Sequence, residues 1–270
     1  MILFSKEKIR LLDVVLFLVA LATVYANGTW MHFDHKVFIK LTLLFLLVFF
    51  LFLKGINRGL SSTNFIVIFL LVFPIISTYL INYSQNVNVA NILNTSTLLI
   101  LFSLLPRQDL TAILEKYCRI VFFLVCVAIP LGICSIFYLE AFEKAPKVYS
   151  SFFDAGGGYW YNLVVFTERS IQDFRVQSVF WEPGAWAYNQ MIAFYFLVFV
   201  KNEHKKIPFF FISLLLTLST SGILACLICL VPLARKFDKR YLLLGFTTAL
   251  IIVGGILYLI SKNEVLSEVL

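Results

Sequence analysis

The residue types that could do chemistry are concentrated between Arg175 and Trp186. An arginine opens this stretch, and Glu182 follows seven residues later. Arginine suits a phosphate group, because its planar guanidinium donates two charge-assisted hydrogen bonds and stays charged when water is removed. A carboxylate whose pKa is raised by burial can act as a general base toward a hydroxyl group. The stretch is therefore a candidate site for a phosphate-bearing substrate and a reacting hydroxyl group.

The same residues also have a purely structural interpretation. Pro183 suits the first position of a helix, where a missing N–H group costs little. Glu182 would then lie at the helix start, where the helix dipole favours a negative charge. Trp181 and Trp186 would serve as anchors at a boundary between apolar and polar surroundings. The dipole would lower the pKa of Glu182 whereas burial would raise it, and the sequence leaves that balance open.

The composition indicates which elements must position this stretch. Hydrophobic residues make up 61% of the 270 residues, charged residues make up 14%, and phenylalanine occurs 29 times. A soluble domain is nearer to about 45–50% apolar and about 25% charged. A soluble globular domain, a disordered chain and a disulfide scaffold are therefore excluded. The composition predicts an all-α polytopic membrane bundle, with residues 1–270 forming a single membrane domain.

Nine apolar runs are the candidate membrane helices of this bundle. They are 11–27, 37–53, 65–81, 89–105, 120–139, 184–200, 207–218, 221–234 and 241–260. With the N-terminus in the cytoplasm, alternation places 15 lysines and arginines on the inner side and 7 on the outer side. Inner loops normally carry this excess, so the net charge of +7 does not require a nucleic-acid partner.

The two runs between 207 and 234 allow two interpretations. As one long tilted helix, they would put the basic clusters at 201–206 and 235–240 on opposite sides of the membrane. As two short helices with a polar turn at Ser219–Gly222, they would keep both clusters inside. The positive-inside rule favours the broken pair. Irregular backbone at that depth must be buried in protein or line a wet cavity.

The longest hydrophilic segment, 140–183, is predicted to be an outer loop. Loops longer than about 12–15 residues are usually functional or disordered. This one contains Tyr159 and Trp160, whose aromatic faces suit sugar rings. We expect it to fold onto the membrane surface and to include a short amphipathic helix within 161–174.

Metal chemistry receives little support from the sequence. His32, Asp34 and His35 are too close together for a tetrahedral site. Cys226 and Cys229 form a C-x-x-C pattern, but they lie in an apolar helix and are best interpreted as small packing residues. We expect no metal ion and no other cofactor.

Two motifs resemble those of the O-antigen polymerase family (Wzy type) in their order and spacing. The first is Arg175-x-x-Ser178-x-Phe180-Trp181-Glu182-Pro183-Gly184-Ala185, and the second is Thr217-Leu218-Ser219-Thr220-Ser221-Gly222. The resemblance covers about 50 residues, from 175 to 225. The related O-antigen ligases share this architecture, so polymerase and ligase activity both stay open.

The resemblance implies an inverting, metal-independent glycosyltransferase with a GT-C-like fold. Its substrates would be oligosaccharide repeat units on undecaprenyl diphosphate, at the outer face of the bacterial inner membrane. Arg175 would match the arginine that meets the lipid diphosphate, and Glu182 the acidic residue of that motif. Arg169 is added on charge and position alone. The remaining candidate substrate-binding residues are Tyr159, Trp160, Trp181, Trp186, Ser219 and Thr220. A chain-length regulator and a flippase would be further partners.

Two further expectations follow from this comparison with the family. Such polymerases are usually longer and carry a second outer loop after the helix that corresponds to 241–260, whereas only Ser261 to Leu270 follow here. We therefore expect either a partial chain or a partner that supplies the rest. A non-enzymatic polysaccharide transporter or flippase is the alternative from another class. It predicts polar residues midway along several spans, but the charge here gathers at the outer boundary.

Overall fold

The computed structural model describes residues 2–26, 29, 36–54, 89–137, 147–149, 159–162, 167–169, 176–180, 182–217, 219–236, 247, 251, 254 and 255. The helices are α1 (Ile2–Ala26), α2 (Lys36–Lys54), α3 (Val89–Leu104), α4 (Arg107–Phe137), α5 (Pro183–Phe194), α6 (Ile207–Leu216) and α7 (Thr220–Lys236). A π-helical turn, Tyr195–Val200, continues α5, and a 3-10 turn, His204–Lys206, precedes α6. These residues are overwhelmingly helical, which confirms the helical class.

Three short strands form a small antiparallel sheet. They are β1 (Lys147–Tyr149), β2 (Tyr159–Asn162) and β3 (Thr167–Arg169), in the order β1-β2-β3. The structure describes only their backbone. The expected amphipathic helix within 161–174 is wrong at the residues that β2 and β3 occupy. Aromatic and β-branched residues, which are concentrated in β1 and β2, fit a pleated sheet better than a helix.

The predicted apolar runs overlap the described helices, but two helices, α1 and α4, begin well before their runs. Runs 11–27, 37–53 and 89–105 fall in α1, α2 and α3, and run 184–200 falls in α5 with its π-helical turn. Helix α4, however, begins at Arg107, well before the run 120–139. Run 65–81 lies outside the described residues, and run 241–260 is described only at four helical positions.

Interhelical ion pairs account for the early start of α4. Asp109 in its first turn pairs with Lys54, the last residue of α2. Lys116 pairs with Asp13 of α1, with 2.7 Å between Nζ and Oδ1. The polar first turns of α4 are thus held by neighbouring helices, although they lie outside the apolar run.

Apolar side chains cover exposed as well as buried helix faces. On α2, Phe38, Phe45 and Phe52 recur every seven residues and are 66%, 66% and 80% exposed.

By length and composition alone, Arg107–Ser135 in α4 is the one described helical segment long and apolar enough to cross a membrane. The segments Leu11–Ala26 and Thr220–Leu233 are apolar but shorter.

The chain divides into two compact units. Met1–Ala26 and His35–Tyr117 form the first unit, and Asn27–Asp34 and Cys118–Leu270 form the second. The single membrane domain over 1–270 and the outer position of 140–183 stay predictions. The candidate site lies in the second unit.

Helices α5, α6 and α7 pack so that the chain reverses between α6 and α7. The ring of Phe194 in α5 lies 5.7 Å from that of Phe210 in α6, centroid to centroid. The N–H of Val176, just before α5, donates to the carbonyl of Leu216 at the end of α6, at 3.1 Å. Helix α6 is therefore antiparallel to α5.

Helix α7, in contrast, runs parallel to α5. Ser221 at its start lies beside Gly184 at the start of α5. Further along, the Tyr195 hydroxyl donates to the carbonyl of Ile228 at 3.0 Å. The broken pair is thus confirmed, and the single long helix over 207–234 is wrong.

An ionic cluster fixes the connection between α5 and α6. Glu203 pairs with Arg119 of α4, with 3.2 Å between nitrogen and oxygen, and with Lys206, at 2.9 Å. The Lys206 ammonium also lies 3.8 Å from the centre of the Phe122 ring in α4. Basic residues that the sequence assigns to one side of the membrane are therefore neighbours here.

Candidate functional site

Glu182 lies at the N-cap of α5. Its backbone is extended, with φ −147° and ψ 154°, and Pro183 occupies the first helical turn. Its carbonyl accepts the N–H of Trp186 at 3.2 Å, which starts the helix. The side chain of Glu182 makes no capping hydrogen bond. The carboxylate is therefore not used to cap the helix, although the backbone is in the capping position.

Partial burial affects the pKa of this carboxylate. Removal of water raises the pKa of Glu182 above its ordinary value of 4.5. The pKa of Glu182 thus moves in the direction that burial favours. A carboxylate with a raised pKa is a stronger base, and that is the property a general base needs near neutral pH.

Gly184 lies close to both a hydroxyl group and this carboxylate. A Cβ atom on Gly184 would lie 3.2 Å from Ser221 Oγ and 3.5 Å from Glu182 Oε1. The missing side chain thus leaves a space between the start of α5 and the start of α7. The two motifs singled out in the sequence meet at this space.

The turn before α7 is held by its own hydroxyl groups. Ser219 Oγ accepts the backbone N–H of Gly222 at 3.0 Å, as an N-cap residue does, and lies 3.1 Å from Thr217 Oγ1. Thr217 in turn donates to the carbonyl of Leu214 at 2.7 Å. The hydroxyl of Ser219, a predicted substrate-binding residue, therefore caps a helix. Thr220 is the first residue of α7 and is exposed.

Glycine is required at position 222 by this packing. A Cβ atom there would overlap Thr217 Oγ1 and would lie 2.6 Å from the carbonyl oxygen of Leu214. A backbone oxygen cannot move aside as a flexible side chain can. The Ser/Thr-Gly pattern thus has a structural reason that is separate from any chemistry.

The segment 176–180, which leads to Glu182, is fully buried. Gly132 of α4 allows its close approach, because a Cβ atom at that position would overlap a methyl group of Val176. Phe180 forms a backbone bridge with Thr29 and stacks on Trp186, with ring centroids 5.3 Å apart. Trp186 is completely buried, so its ring packs in the core and does not form an open platform for a sugar.

The other predicted site residues are described less fully. Arg175 and Trp181 lie outside the described residues. Arg169 and Trp160 are register partners in the β2–β3 pair, and Tyr159 is paired with Tyr149 of β1. The structure thus brings together the backbones of two predicted residues in the sheet.

Ser221 is the site residue that sequence reasoning did not select. It belongs to the same run of hydroxyl residues as Ser219 and Thr220, and its hydroxyl group lies beside the Cβ position of Gly184. In the part of the chain that the structure describes, no group of three or more His, Cys, Asp or Glu residues could hold a metal ion.

Comparisons of this chain with protein-family models, with curated proteins and with solved structures gave no match. A carboxylate with a raised pKa, at the start of one of two parallel helices and close to the same glycine as a serine hydroxyl group, can accept a proton from a second hydroxyl group, supplied by a substrate.

Proposed function

We propose that this chain is a multi-pass protein of the bacterial inner (cytoplasmic) membrane, with about nine helices, a GT-C-like fold and a cytoplasmic N-terminus. The apolar composition and the exposed phenylalanine stripe of α2 support a lipid environment, since water-exposed proteins rarely carry such surfaces. The packing of Arg119, Lys206 and Glu203 at one end of the second unit supports a common inner side for these segments.

The proposed activity is polymerisation of oligosaccharide repeat units carried on undecaprenyl diphosphate, yielding O-antigen, capsular or exopolysaccharide. The observation that carries this proposal is the convergence of Glu182 and Ser221 over Gly184. These residues come from the two stretches that resemble polymerase motifs. The two stretches that resemble the family's motifs are therefore neighbours in space, although they are separate in the sequence.

In this proposal, Glu182 removes the proton of an acceptor hydroxyl group while the oxygen attacks the anomeric carbon of the donor. The new glycosidic bond forms as the bond from that carbon to the diphosphate breaks. The electron pair leaves with undecaprenyl diphosphate, whose developing charge Arg175 stabilises, with Arg169 adding positive charge nearby. Attack opposite the leaving group inverts the anomeric centre, and no metal ion is required.

O-antigen ligase activity is the first alternative. The same motif residues occur in that family, so the arrangement of Glu182 and Ser221 supports both activities. A non-enzymatic transporter or flippase is the second alternative, and the broken pair α6–α7 favours it. The raised pKa of Glu182 at a helix start, next to a hydroxyl group, favours chemistry instead.

The test is expression in two strains that make the matching repeat unit, one lacking its polymerase and one lacking its ligase. A glycan ladder restored in the first strain, and lost with Arg175→Ala at equal membrane abundance, would support the polymerase. Attachment of glycan to lipid A core, restored only in the second strain, would support the ligase. An unchanged glycan in both strains would contradict both activities.

A further inference from the structure

A proline interrupts the backbone hydrogen bonds of α7. Pro232 lies inside this helix, which spans Thr220–Lys236. Proline has no N–H group to donate to the carbonyl four residues earlier, and its ring pushes that carbonyl aside. The carbonyl affected here belongs to Ile228. Helix α7 therefore contains an acceptor that its own backbone cannot satisfy.

Tyr195 supplies the missing donor from the neighbouring helix. Its hydroxyl group donates to the Ile228 carbonyl at 3.0 Å, which is within the range of an ordinary O–H···O hydrogen bond. Membrane helices tolerate proline where a neighbouring helix satisfies the freed carbonyl in this way. Ile228 also belongs to an exposed apolar face of α7, so in the proposed membrane no solvent water would take the place of this hydroxyl group.

Two phenylalanines hold the ring of Tyr195 in place. Tyr195 is the first residue of the π-helical turn that follows α5. Its ring lies 5.8 Å from that of Phe194 and 5.7 Å from that of Phe199, centroid to centroid, and the two phenylalanine rings are 5.8 Å apart. A π-helical turn bonds each residue to the fifth residue along the chain, and so brings Phe194 next to Phe199. The three rings together fix the direction in which the Tyr195 hydroxyl group points.

This hydrogen bond lies on the face of α5 that also carries Gly184. Tyr195 follows Gly184 by 11 residues, or about three helical turns. Ile228 follows Ser221 by 7 residues, or about two turns, and the tyrosine side chain covers the difference because helical side chains lean toward the N-terminus. Helix α7 thus contacts α5 at two points along one line, one at the candidate site and one at the proline break.

A proline break can act as a hinge for the part of the helix that precedes it. Ser221 lies 11 residues before Pro232, which is about 16 Å along the helix. A tilt of about 10° at the proline would therefore move Ser221 by about 3 Å. A displacement of about 1 Å is already enough to slow an enzyme severely. The hydrogen bond from Tyr195 fixes the carbonyl at the break and so opposes this tilt.

We propose that Tyr195 is a positioning residue, whose hydroxyl group replaces the hydrogen bond that Pro232 removes and thereby holds Ser221 at the candidate site. Tyr195 acts through α7 and does not contact the substrate. The replacement of the hydrogen bond is a property of the two helices alone, whereas its effect on catalysis rests on the proposed function.

The first test observes the Ile228 carbonyl directly. With ¹³C at the isoleucine carbonyls and ¹⁵N in cysteine, only the pairs Ile133–Cys134 and Ile228–Cys229 give an NMR signal that joins both labels. The full chain is studied in lipid nanodiscs, and Cys134→Ala removes the first signal and so assigns the second. We expect Tyr195→Phe to shift the Ile228 signal and to leave the Ile133 signal unchanged. An Ile228 signal that does not move would overturn the proposal.

Pro232→Ala gives the chain its backbone donor back. In this background the Ile228 carbonyl can bind the N–H of residue 232, so the Tyr195 hydroxyl group becomes redundant. We expect Tyr195→Phe to lower the melting temperature by about 2–4 °C in the wild-type chain, and to change neither this temperature nor the Ile228 signal in the Pro232→Ala chain.

Pro130→Ala is the matched control, because it restores a backbone donor inside α4 instead. In this background Tyr195→Phe should have its full effect. An equal effect of Tyr195→Phe in the wild-type, Pro130→Ala and Pro232→Ala chains would mean that the hydroxyl group acts independently of Pro232, and would overturn the proposal.

The kinetics of polymer synthesis test the positioning role. Tyr195→Phe should lower kcat about tenfold and leave KM for the repeat unit within about twofold, because the substrate-binding groups stay while Ser221 moves. In the Pro232→Ala chain the same substitution should cause no further loss. An unchanged kcat together with a shifted Ile228 signal would overturn the positioning role. A wild-type chain that makes no polymer would contradict the proposed function instead, and the Ile228 signal would still decide whether Tyr195 replaces the missing hydrogen bond.

Discussion

At the scale of single residues, the main finding is the environment of Glu182. A carboxylate at the start of a helix normally has its charged form stabilised by the helix dipole and by capping hydrogen bonds. Here the side chain makes no capping bond, and burial raises its pKa. The residue therefore bears a cost of ionisation that a purely structural cap would avoid. Such a cost is common at sites that need a base.

The Glu182→Gln variant separates chemistry from stability. Because the folded-state pKa is raised, the folded chain binds more protons than the unfolded chain above the ordinary value of 4.5. The free energy of unfolding therefore falls as the pH rises through this window. We expect the variant to lose about 100-fold or more of the polymerising activity. At neutral pH the melting temperature of Glu182→Gln should equal or exceed that of the wild type. The variant should also lack the decrease in melting temperature that ionisation of Glu182 causes in the wild type as the pH rises above 4.5.

The wild-type activity should itself depend on pH in a defined direction. Only the ionised form of Glu182 can accept a proton, so the activity should rise with pH through the raised pKa. Rate measurements from acidic to neutral pH, compared with thermal unfolding over the same range, check this point. A melting temperature for Glu182→Gln well below that of the wild type would instead indicate a structural residue.

Gly184→Ala tests the space between the two motifs. The added Cβ atom would lie 3.2 Å from Ser221 Oγ, which is tight enough to displace that hydroxyl group by a few tenths of an ångström. We expect about a tenfold loss of activity. Alanine favours a helix over glycine by up to about 1 kcal/mol, so the stability should not fall.

The matched control for this variant is Gly254→Ala. No atom lies within 4 Å of the Cβ position at Gly254. This control should therefore leave the activity unchanged. Equal activities for the two variants would show that the space at Gly184 has no role.

At the scale of the elements, the reversal between α6 and α7 is decisive. It places a run of hydroxyl residues beside the start of α5, and each of these residues then has a distinct environment. Ser219 caps α7, Thr217 binds the last turn of α6, and Ser221 faces the space at Gly184. The turn thus supports the hairpin and contributes a hydroxyl group to the site.

Two single substitutions in this turn should have opposite effects. Ser219→Ala removes the N-cap and should lower the free energy of unfolding by about 1 kcal/mol. Ser221→Ala leaves that cap intact, so it should retain stability but reduce activity. Thermal unfolding and polymer synthesis, measured on both variants, check this pair. The opposite pattern would exchange the roles assigned to the two serines.

At the scale of the whole molecule, the hairpin fixes the relation between two basic clusters. Lys205 precedes α6, and Arg235 lies in the last turn of α7, so antiparallel helices place both at one end of the hairpin. In a cysteine-free background, cysteine at either position should react with an impermeant thiol reagent from the cytoplasmic side. Cysteine at Lys147 should react from the outer side. Labelling of positions 205 and 235 from opposite sides would contradict the hairpin.

The sequence carried enough information for the coarse architecture. Apolar runs predicted the helices, and the asymmetry of the basic clusters at 201–206 and 235–240 predicted the break between α6 and α7. Both predictions depend on properties averaged over many residues, such as hydropathy and charge balance. They depend little on the detailed packing of any one side chain.

The finer features depended on tertiary contacts that no local pattern encodes. The start of α4 at Arg107 depends on partners in α1 and α2, and the strands at 147–169 depend on cross-strand pairing. The burial of Trp186 depends on its packing against Phe180, and the selection of Ser221 over Ser219 depends on the close packing of α5 and α7. Residue types and their spacing identify candidate site residues. Packing at the start of a helix then determines which of these residues faces the site.

We propose that Glu182 acts as the base when repeat units are joined. The most direct measurement uses the purified full chain in vesicles with repeat units linked to undecaprenyl diphosphate, and it follows both the glycan length and the release of undecaprenyl diphosphate. We expect long glycans with one lipid diphosphate released per bond formed, and loss of both with Glu182→Gln. Undiminished synthesis in this variant, at an equal amount of equally folded protein, would show that Glu182 is not the base.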